Sequence, residues 1–85
     1  MLARNRYEVA TEVRRIIADT LAIVAENISE TTLVVEELHA SSMDIVTLAM
    51  ALDDFFGAEL DLSEIPTSNV SVAWIIDYIC SRTAQ

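Results

Sequence analysis

One glycine and one proline in 85 residues restrict the folds open to this chain more than any other feature of its sequence. Tight β-turns rely on these two residues, and a sandwich or barrel of short strands needs many such turns. Apolar residues make up 53% of the chain and charged residues 22%, which argues against a disordered or collagen-like chain. The composition therefore favours helices, and the length allows one domain, spanning residues 1–85.

Apolar residues recur at helical spacing in three segments. The first predicted helix runs from about residue 7 to 24, with a stripe formed by Val9, Val13, Ile16, Ile17, Leu21 and Val24. The second begins at Ser41-Ser42, where a serine hydroxyl can accept from free amide groups, and ends near Gly57, which suits a left-handed cap. The last frays after Arg82, and its apolar face consists of Val72, Ile75, Ile76 and Ile79.

The segments between these helices lack a sustained period. Residues 25–41 are expected to form a long ordered loop with a helical turn near residues 33–38, and loops of this length are often functional. Residues 60–65, before Pro66, look like one short turn of helix, and residues 67–71 like a loop. The predicted fold is all-α: a small four-helix bundle of three main helices and one short helix.

Acidic residues dominate the charge, with fourteen acids, five arginines and no lysine, for a net charge of −9. Twelve of the acids lie from Asp19 to Asp77, a stretch without any arginine. A nucleic-acid-binding module needs a basic face, so this class of function is excluded. The negative field instead favours basic partners, or it is simply a solvated acidic surface.

Cys80 and His39 are the single cysteine and the single histidine. They permit no intramolecular disulfide and no tetrahedral zinc site within the chain, so we expect no metal. Charged residues between Glu8 and Asp19 interrupt any signal-peptide core. The longest apolar stretch, residues 45–52, is far shorter than the ~18–20 residues that span a bilayer. We expect a soluble, cytoplasmic monomer.

The second predicted helix carries two apolar stripes. One, with Ile45, Leu48, Ala49, Leu52 and Phe56, is the expected core face. The opposite side holds Met43, Val46 and Met50 beside the acids Asp44, Asp53 and Asp54. Either the helix is buried nearly all round, or the second stripe faces partner proteins. Adaptable methionines beside acids would suit docking against several basic surfaces. A bundle of this size has little volume for burying a helix on every side, which favours the partner-facing stripe.

The segment Leu38-His39-Ala40-Ser41-Ser42-Met43-Asp44, followed by an apolar helix that ends in Asp53-Asp54 and Phe56, resembles the phosphopantetheine attachment segment of acyl carrier proteins. In that family the segment runs Leu-Gly-Ala-Asp-Ser-Leu-Asp. The resemblance extends without gaps back to residues 13–17, and across a one-residue insertion forward to residues 76–79. It covers most of the chain.

The resemblance implies that Ser42 bears a 4'-phosphopantetheine arm through a phosphodiester, and that the arm's thiol carries acyl groups as thioesters. The implied partners are a phosphopantetheinyl transferase and acyl-synthesising or acyl-transfer enzymes with basic docking surfaces, so catalysis belongs to the partners. The implied docking face consists of Met43, Asp44, Val46, Met50, Asp53 and Asp54. The implied walls of an acyl pocket are Ile45, Leu48, Leu52, Ile65, Ile75 and Ile79.

Several positions depart from the family pattern, namely Ser41 in place of Asp, His39 in place of Gly, Thr47 in place of an acid and Phe55 in place of a polar residue. These departures indicate a specialised carrier for modified-lipid, lipopolysaccharide or secondary-metabolite acyl groups rather than a housekeeping fatty-acid carrier. Other hypotheses remain open. Ser41 is a second candidate for modification, and an acidic interaction module without a prosthetic group would use Ser42 only as a helix cap. A stand-alone enzyme is disfavoured because no catalytic constellation is present.

Overall fold

Three α-helices form the frame of the structure, a computed structural model that describes residues 5–57, 64–66 and 68–83. Helix α1 is Arg6–Leu21, α2 is Ser42–Phe56 and α3 is Val72–Thr83, and a short 3-10 helix, Ala25–Asn27, follows α1. Within the described residues the only β-pairing is an isolated bridge between Leu33 and Ser71. The all-α class is therefore confirmed. Most of the fourth, short helix predicted over residues 60–65 lies outside the described residues.

Helix α1 packs against both α2 and α3. Its apolar positions recur every three or four residues, so Val9, Val13 and Ile17 lie on one side and are fully buried. Leu52 of α2 and Ile76 of α3 belong to the same core cluster and are equally inaccessible to solvent. Each such side chain stabilises the fold by about 1.5–3 kcal/mol through removal of apolar surface from water.

Both ends of α2 lie where the sequence predicts them. Ser41 is the N-cap, and the αL conformation of Gly57 (φ 65°) ends the helix, with Gly57 N donating to Asp53 O at 2.8 Å. The limits of this helix are determined by local cap chemistry, which short-range sequence patterns report directly.

The prediction that α1 reaches residue 24 is wrong by three residues. Ala22 adopts the left-handed conformation (φ 57°), and its amide donates back to Ala18 O, which ends the helix at Leu21. Val24 retains helical spacing in the sequence, but it lies beyond the helix and is 57% exposed. The apolar period therefore continued past the end of the helical backbone.

The segment between α1 and α2 is anchored on both sides. Ile28 and Val34 are buried in the core, and the predicted helical turn is present, with Glu37 N donating to Leu33 O at 2.9 Å. Val34 N also donates to Val70 O at 2.9 Å, and Val72 N donates to Thr32 O at 3.0 Å. These bonds join the segment to the start of α3. Among the described helices, none is long and apolar enough to cross a bilayer.

Candidate functional site

The first turn of α2 is held by a reciprocal pair of hydrogen bonds. Asp44 N donates to Ser41 Oγ at 3.1 Å, and Ser41 N donates to Asp44 Oδ2 at 3.0 Å. A helix N-terminus has four amide groups without an intrahelical acceptor, and this capping box satisfies two of them. The amides of Ser42 and Met43 are the other two, and the structure gives them no acceptor among the described residues.

Ser42 lies on the surface at the first position of α2, and its Oγ has no hydrogen-bond partner in the described part of the chain. The hypothesis that Ser42 serves only as a helix cap is therefore wrong, because the cap is Ser41. The Ser42 hydroxyl lies beside two amides that have no acceptor in the described ranges, at the positive end of the helix dipole. This environment suits a phosphate ester, since amide donors and the dipole both stabilise negative charge there.

His39 precedes the site with a left-handed backbone, at φ 60°. A residue with a Cβ atom adopts this conformation at a cost of about 1–2 kcal/mol, whereas glycine adopts it without that cost. The glycine in the family pattern is thus explained by the turn that leads into α2. The exposed imidazole changes the surface next to Ser42 while the backbone turn is kept.

The outer face of α2 is open to solvent. Met43 and Met50 are 71% and 66% exposed, Asp53 and Asp54 are exposed, and Val46 is half-buried. The hypothesis of a helix buried all round is therefore wrong. The core face of α2, by contrast, is inaccessible to solvent at Ile45, Leu48, Ala49 and Leu52.

Asp44 differs from the other acids predicted on this face. It is half-buried, and its carboxylate accepts the Ser41 amide in the capping box. A shallow depression near the other end of α2 brings Met50, Asp53 and Asp54 together, next to Thr47 and Gly57. The exposed acids and the exposed methionine thus lie on one surface, and Asp44 has a structural role beside any role in docking.

An apolar crevice lies between α2 and α3. All of the predicted pocket residues except Ile79 line it, together with Ala49, Trp74 and Tyr78. Ile79 is fully buried in the core instead. The cavity volume is about 10 Å³, close to the space that one water molecule needs. The crevice is thus closed, and a larger apolar group enters only if part of its wall moves.

The aromatic part of this wall was not predicted from the sequence. Trp74 and Tyr78 stack with ring centroids 5.1 Å apart, and Tyr78 Oη donates to Glu64 Oε1 at 2.7 Å. The Arg82 guanidinium lies 5.2 Å from the centre of the Tyr78 ring and forms an ion pair with Glu64. That contact with Glu64 raises the pKa of Arg82 above its ordinary value. The sequence contained one signal for this wall: Trp74 and Tyr78 are four residues apart on α3, a spacing that puts two side chains on the same face of a helix.

Comparison with known proteins agrees with this arrangement. Residues 11–79 match a family model described as the phosphopantetheine attachment site. The acyl carrier protein of Campylobacter hominis is 33% identical over 72 residues, which cover 85% of this chain and 90% of the relative. The acyl carrier protein of Thermosynechococcus vestitus is 32% identical over 80 residues, which cover 94% of this chain and 98% of the relative. The acyl carrier protein of Nitratidesulfovibrio vulgaris is 34% identical over 74 residues, which cover 87% of this chain and 96% of the relative.

These matches span most of both chains, and they imply a covalently attached 4'-phosphopantetheine for this protein. Acyl carrier proteins have no catalytic activity of their own and interact with enzymes. The chain belongs to the acyl carrier protein family.

Proposed function

We propose that Ser42 bears the 4'-phosphopantetheine group and that the protein carries acyl intermediates on it. The group supplies a terminal thiol, to which an acyl chain is bound as a thioester. The observation that carries this proposal is the exposed Ser42 hydroxyl, which has no partner in the described residues and lies beside the unpaired amides of Ser42 and Met43. Those amides and the helix dipole stabilise the charge of a phosphodiester at this position.

Ser41 is the less suitable of the two serines. Its hydroxyl accepts a hydrogen bond from the Asp44 amide, and its own amide donates a hydrogen bond to the Asp44 carboxylate. Modification of Ser41 would disturb this pair and would place a phosphate next to the carboxylate. Ser42 can be modified with the capping box intact.

The outer face of α2 is proposed to dock the transferase and the enzymes that load, use and remove the acyl group. Met43 and Met50 supply adaptable apolar contacts. Asp53 and Asp54 supply exposed negative charge for basic partner surfaces. Val46 and Asp44, both half-buried, belong to the same face and contribute less accessible surface.

The acyl chain is proposed to enter the crevice between α2 and α3, because this crevice is lined almost wholly by apolar side chains. Ile45, at one end of its lining, lies one helical turn after Ser42. A chain attached at Ser42 would therefore start close to the crevice.

The setting of this activity is part of the same proposal. We place the protein in the reducing cytoplasm as a single carrier domain over residues 1–85, since its lone cysteine forms no internal disulfide. A net charge of −9 disfavours self-association, which supports a monomer. Ser41 and His39, which change the surface that a transferase meets, support a role in a specialised pathway of lipid, lipopolysaccharide or secondary-metabolite synthesis.

The test is intact-mass analysis after incubation with coenzyme A and phosphopantetheinyl transferases from several pathways. Wild type should gain the mass of one phosphopantetheine, Ser42→Ala should gain none, and Ser41→Ala should still be modified. Modification of Ser42→Ala would overturn the assignment of the site. Absence of any adduct on wild type would favour an acidic interaction module without a prosthetic group.

A further inference from the structure

The crevice between α2 and α3 has two kinds of wall. Its aliphatic wall belongs to the core, and residues such as Leu48, Leu52 and Ile75 are nearly inaccessible to solvent. Trp74 and Tyr78 form the other wall and are only half-buried. Their outer side faces an open surface depression that also includes Ser81 and Arg82. The aromatic pair thus separates the apolar crevice from solvent.

Glu64 fastens this aromatic wall. Its carboxylate accepts from Tyr78 Oη at 2.7 Å and pairs with the Arg82 guanidinium, which itself lies over the Tyr78 ring. The residue after Glu64 is Ile65, which lines the crevice. One exposed carboxylate therefore holds together the segment that contains Ile65 and the outer edge of α3. Because these contacts are exposed to solvent, breaking them costs much less than opening the core.

The closed crevice admits a guest only by displacing side chains. Displacing the aliphatic wall would disrupt the core that α2 shares with α1 and α3. Trp74 packs only against the edge of that core, Tyr78 is half-buried beside it, and both face the open depression, so this is the wall that can yield with the least loss of buried contacts. Ile45 and Leu52 are the first and last residues of α2 in the lining. At about 1.5 Å per residue they lie about 10 Å apart along the helix, which is close to the length of an extended octanoyl chain.

We propose that Trp74 and Tyr78, fastened by Glu64, form the movable wall of the acyl site and determine which chain lengths it holds. This inference rests on the proposed function, because the guest is the acyl chain attached at Ser42. It assigns a straight chain of medium length as the preferred cargo. Trp74 and Tyr78 act as specificity-determining residues, and Glu64 acts on the cargo through Tyr78 as a positioning residue.

Trp74 is the single tryptophan, so the fluorescence of the protein reports on this wall. The experiment compares the holo form with its butyryl, octanoyl and palmitoyl thioesters, each confirmed by intact mass. Octanoyl loading should shift the Trp74 emission clearly from that of the holo form, and butyryl loading should shift it less. Hydroxylamine should cleave the palmitoyl thioester several-fold faster than the octanoyl thioester, because only the shorter chain draws the thioester against the protein.

Three variants change the wall, namely Trp74→Ala, Tyr78→Phe and Glu64→Gln. Trp74→Ala should make the cleavage rates of the palmitoyl and octanoyl thioesters nearly equal. Tyr78→Phe and Glu64→Gln should reduce the difference between these two rates while leaving the circular dichroism spectrum unchanged. Glu12→Gln removes one partner of a separate ion pair with Arg15, and Tyr7→Phe changes an exposed tyrosine on α1. Both controls should behave as wild type does.

Two results would overturn the inference while the proposed function stands. One is identical Trp74 emission in the holo and all acyl forms, and the other is an unchanged ratio of cleavage rates in both Trp74→Ala and Tyr78→Phe. Absence of an adduct at Ser42 would overturn the proposed function and the inference together. Intact mass therefore separates the two kinds of failure.

Discussion

The two serines at the start of α2 have different surroundings although they are adjacent. Ser41 accepts a backbone amide and holds the first turn, whereas the Ser42 hydroxyl is exposed and has no partner in the described residues. A helix start supplies amide donors for a cap and for an anion. Here Ser41 uses one of them for the cap, and the proposed phosphodiester would lie next to it at Ser42. Structural and functional contributions can therefore be separated by single substitutions.

Alanine substitution of each serine should affect stability differently. Ser41→Ala should lower the free energy of unfolding by about 1 kcal/mol, within the range for loss of an N-cap. Ser42→Ala should change it by less than about 0.5 kcal/mol, as for other exposed positions without a partner. Urea denaturation of the unmodified proteins measures both. Equal losses in the two variants would show that Ser42 also supports the helix.

At the scale of single residues, the sequence predicted the start of α2 but not the contacts of its neighbours. The resemblance to the attachment segment pointed to Ser42, and the structure has this residue exposed at the first position of the helix. The pairing of Glu64 with Tyr78 and Arg82 could not be predicted, since it joins residues from different segments. The left-handed backbone of His39 was not predicted either, although histidine is enriched among non-glycine residues with positive φ and here occupies the glycine position of the family pattern.

Helix α2 ends with two acids where electrostatics disfavours them. Asp53 and Asp54 lie in its last turn, which contains no basic residue. The C-terminal end of a helix carries partial negative charge, so acids there are destabilising. Both side chains are exposed, and the structure gives neither of them an ion pair among the described residues. A contribution to docking would account for them, whereas a contribution to folding would not.

Charge reversal at this end of α2 should therefore separate binding from stability. In Asp53→Lys/Asp54→Lys each lysine should raise the free energy of unfolding by about 0.3–1 kcal/mol, as expected for a cation near a helix C-terminus. The same variant should raise the KM of a transferase with a basic surface. Denaturation and transferase kinetics provide the two measurements. A stability loss together with weaker binding would indicate that the acids serve the fold.

The limits of the helices show what sequence periodicity can and cannot predict. Both ends of α2 follow from cap residues, Ser41 and Gly57, whose preferences are local. The end of α1 does not, because Ala22 has no preference for the left-handed conformation that it adopts. The apolar residues that follow, such as Ile23 and Ile28, contact the core from outside α1. The periodic pattern shows which residues are suited to the core, but it does not show whether the backbone at those residues remains helical.

Across the whole molecule, repulsion among acids competes with a few exposed ion pairs. The net charge is −9, and the described ion pairs join Arg6, Arg15 and Arg82 to nearby carboxylates on the surface. Exposed pairs of this kind contribute about 0–1 kcal/mol each. Repulsion acts over the entire acidic surface, so we expect it to be the larger electrostatic effect on stability.

Salt should accordingly act in opposite directions on stability and on association. Raising the ionic strength from about 0.01 M to about 0.15 M shortens the screening length from about 30 Å to about 8 Å. The melting temperature should rise, because repulsion is screened, while the association rate with a basic partner should fall. Thermal unfolding monitored by circular dichroism and stopped-flow association measure the two effects. A melting temperature that falls with salt would mean that the ion pairs outweigh the repulsion.

The hydrogen bonds between Thr32, Val34 and residues 70–72 have a consequence for how the protein can vary. They fasten the segment after α1 to the start of α3, so that all of α2 lies within a closed loop of the chain. The frame made by α1, this segment and α3 is thus joined independently of the helix that presents Ser42. We therefore expect that substitutions on the outer face of α2 can change the partners during evolution while this frame remains the same.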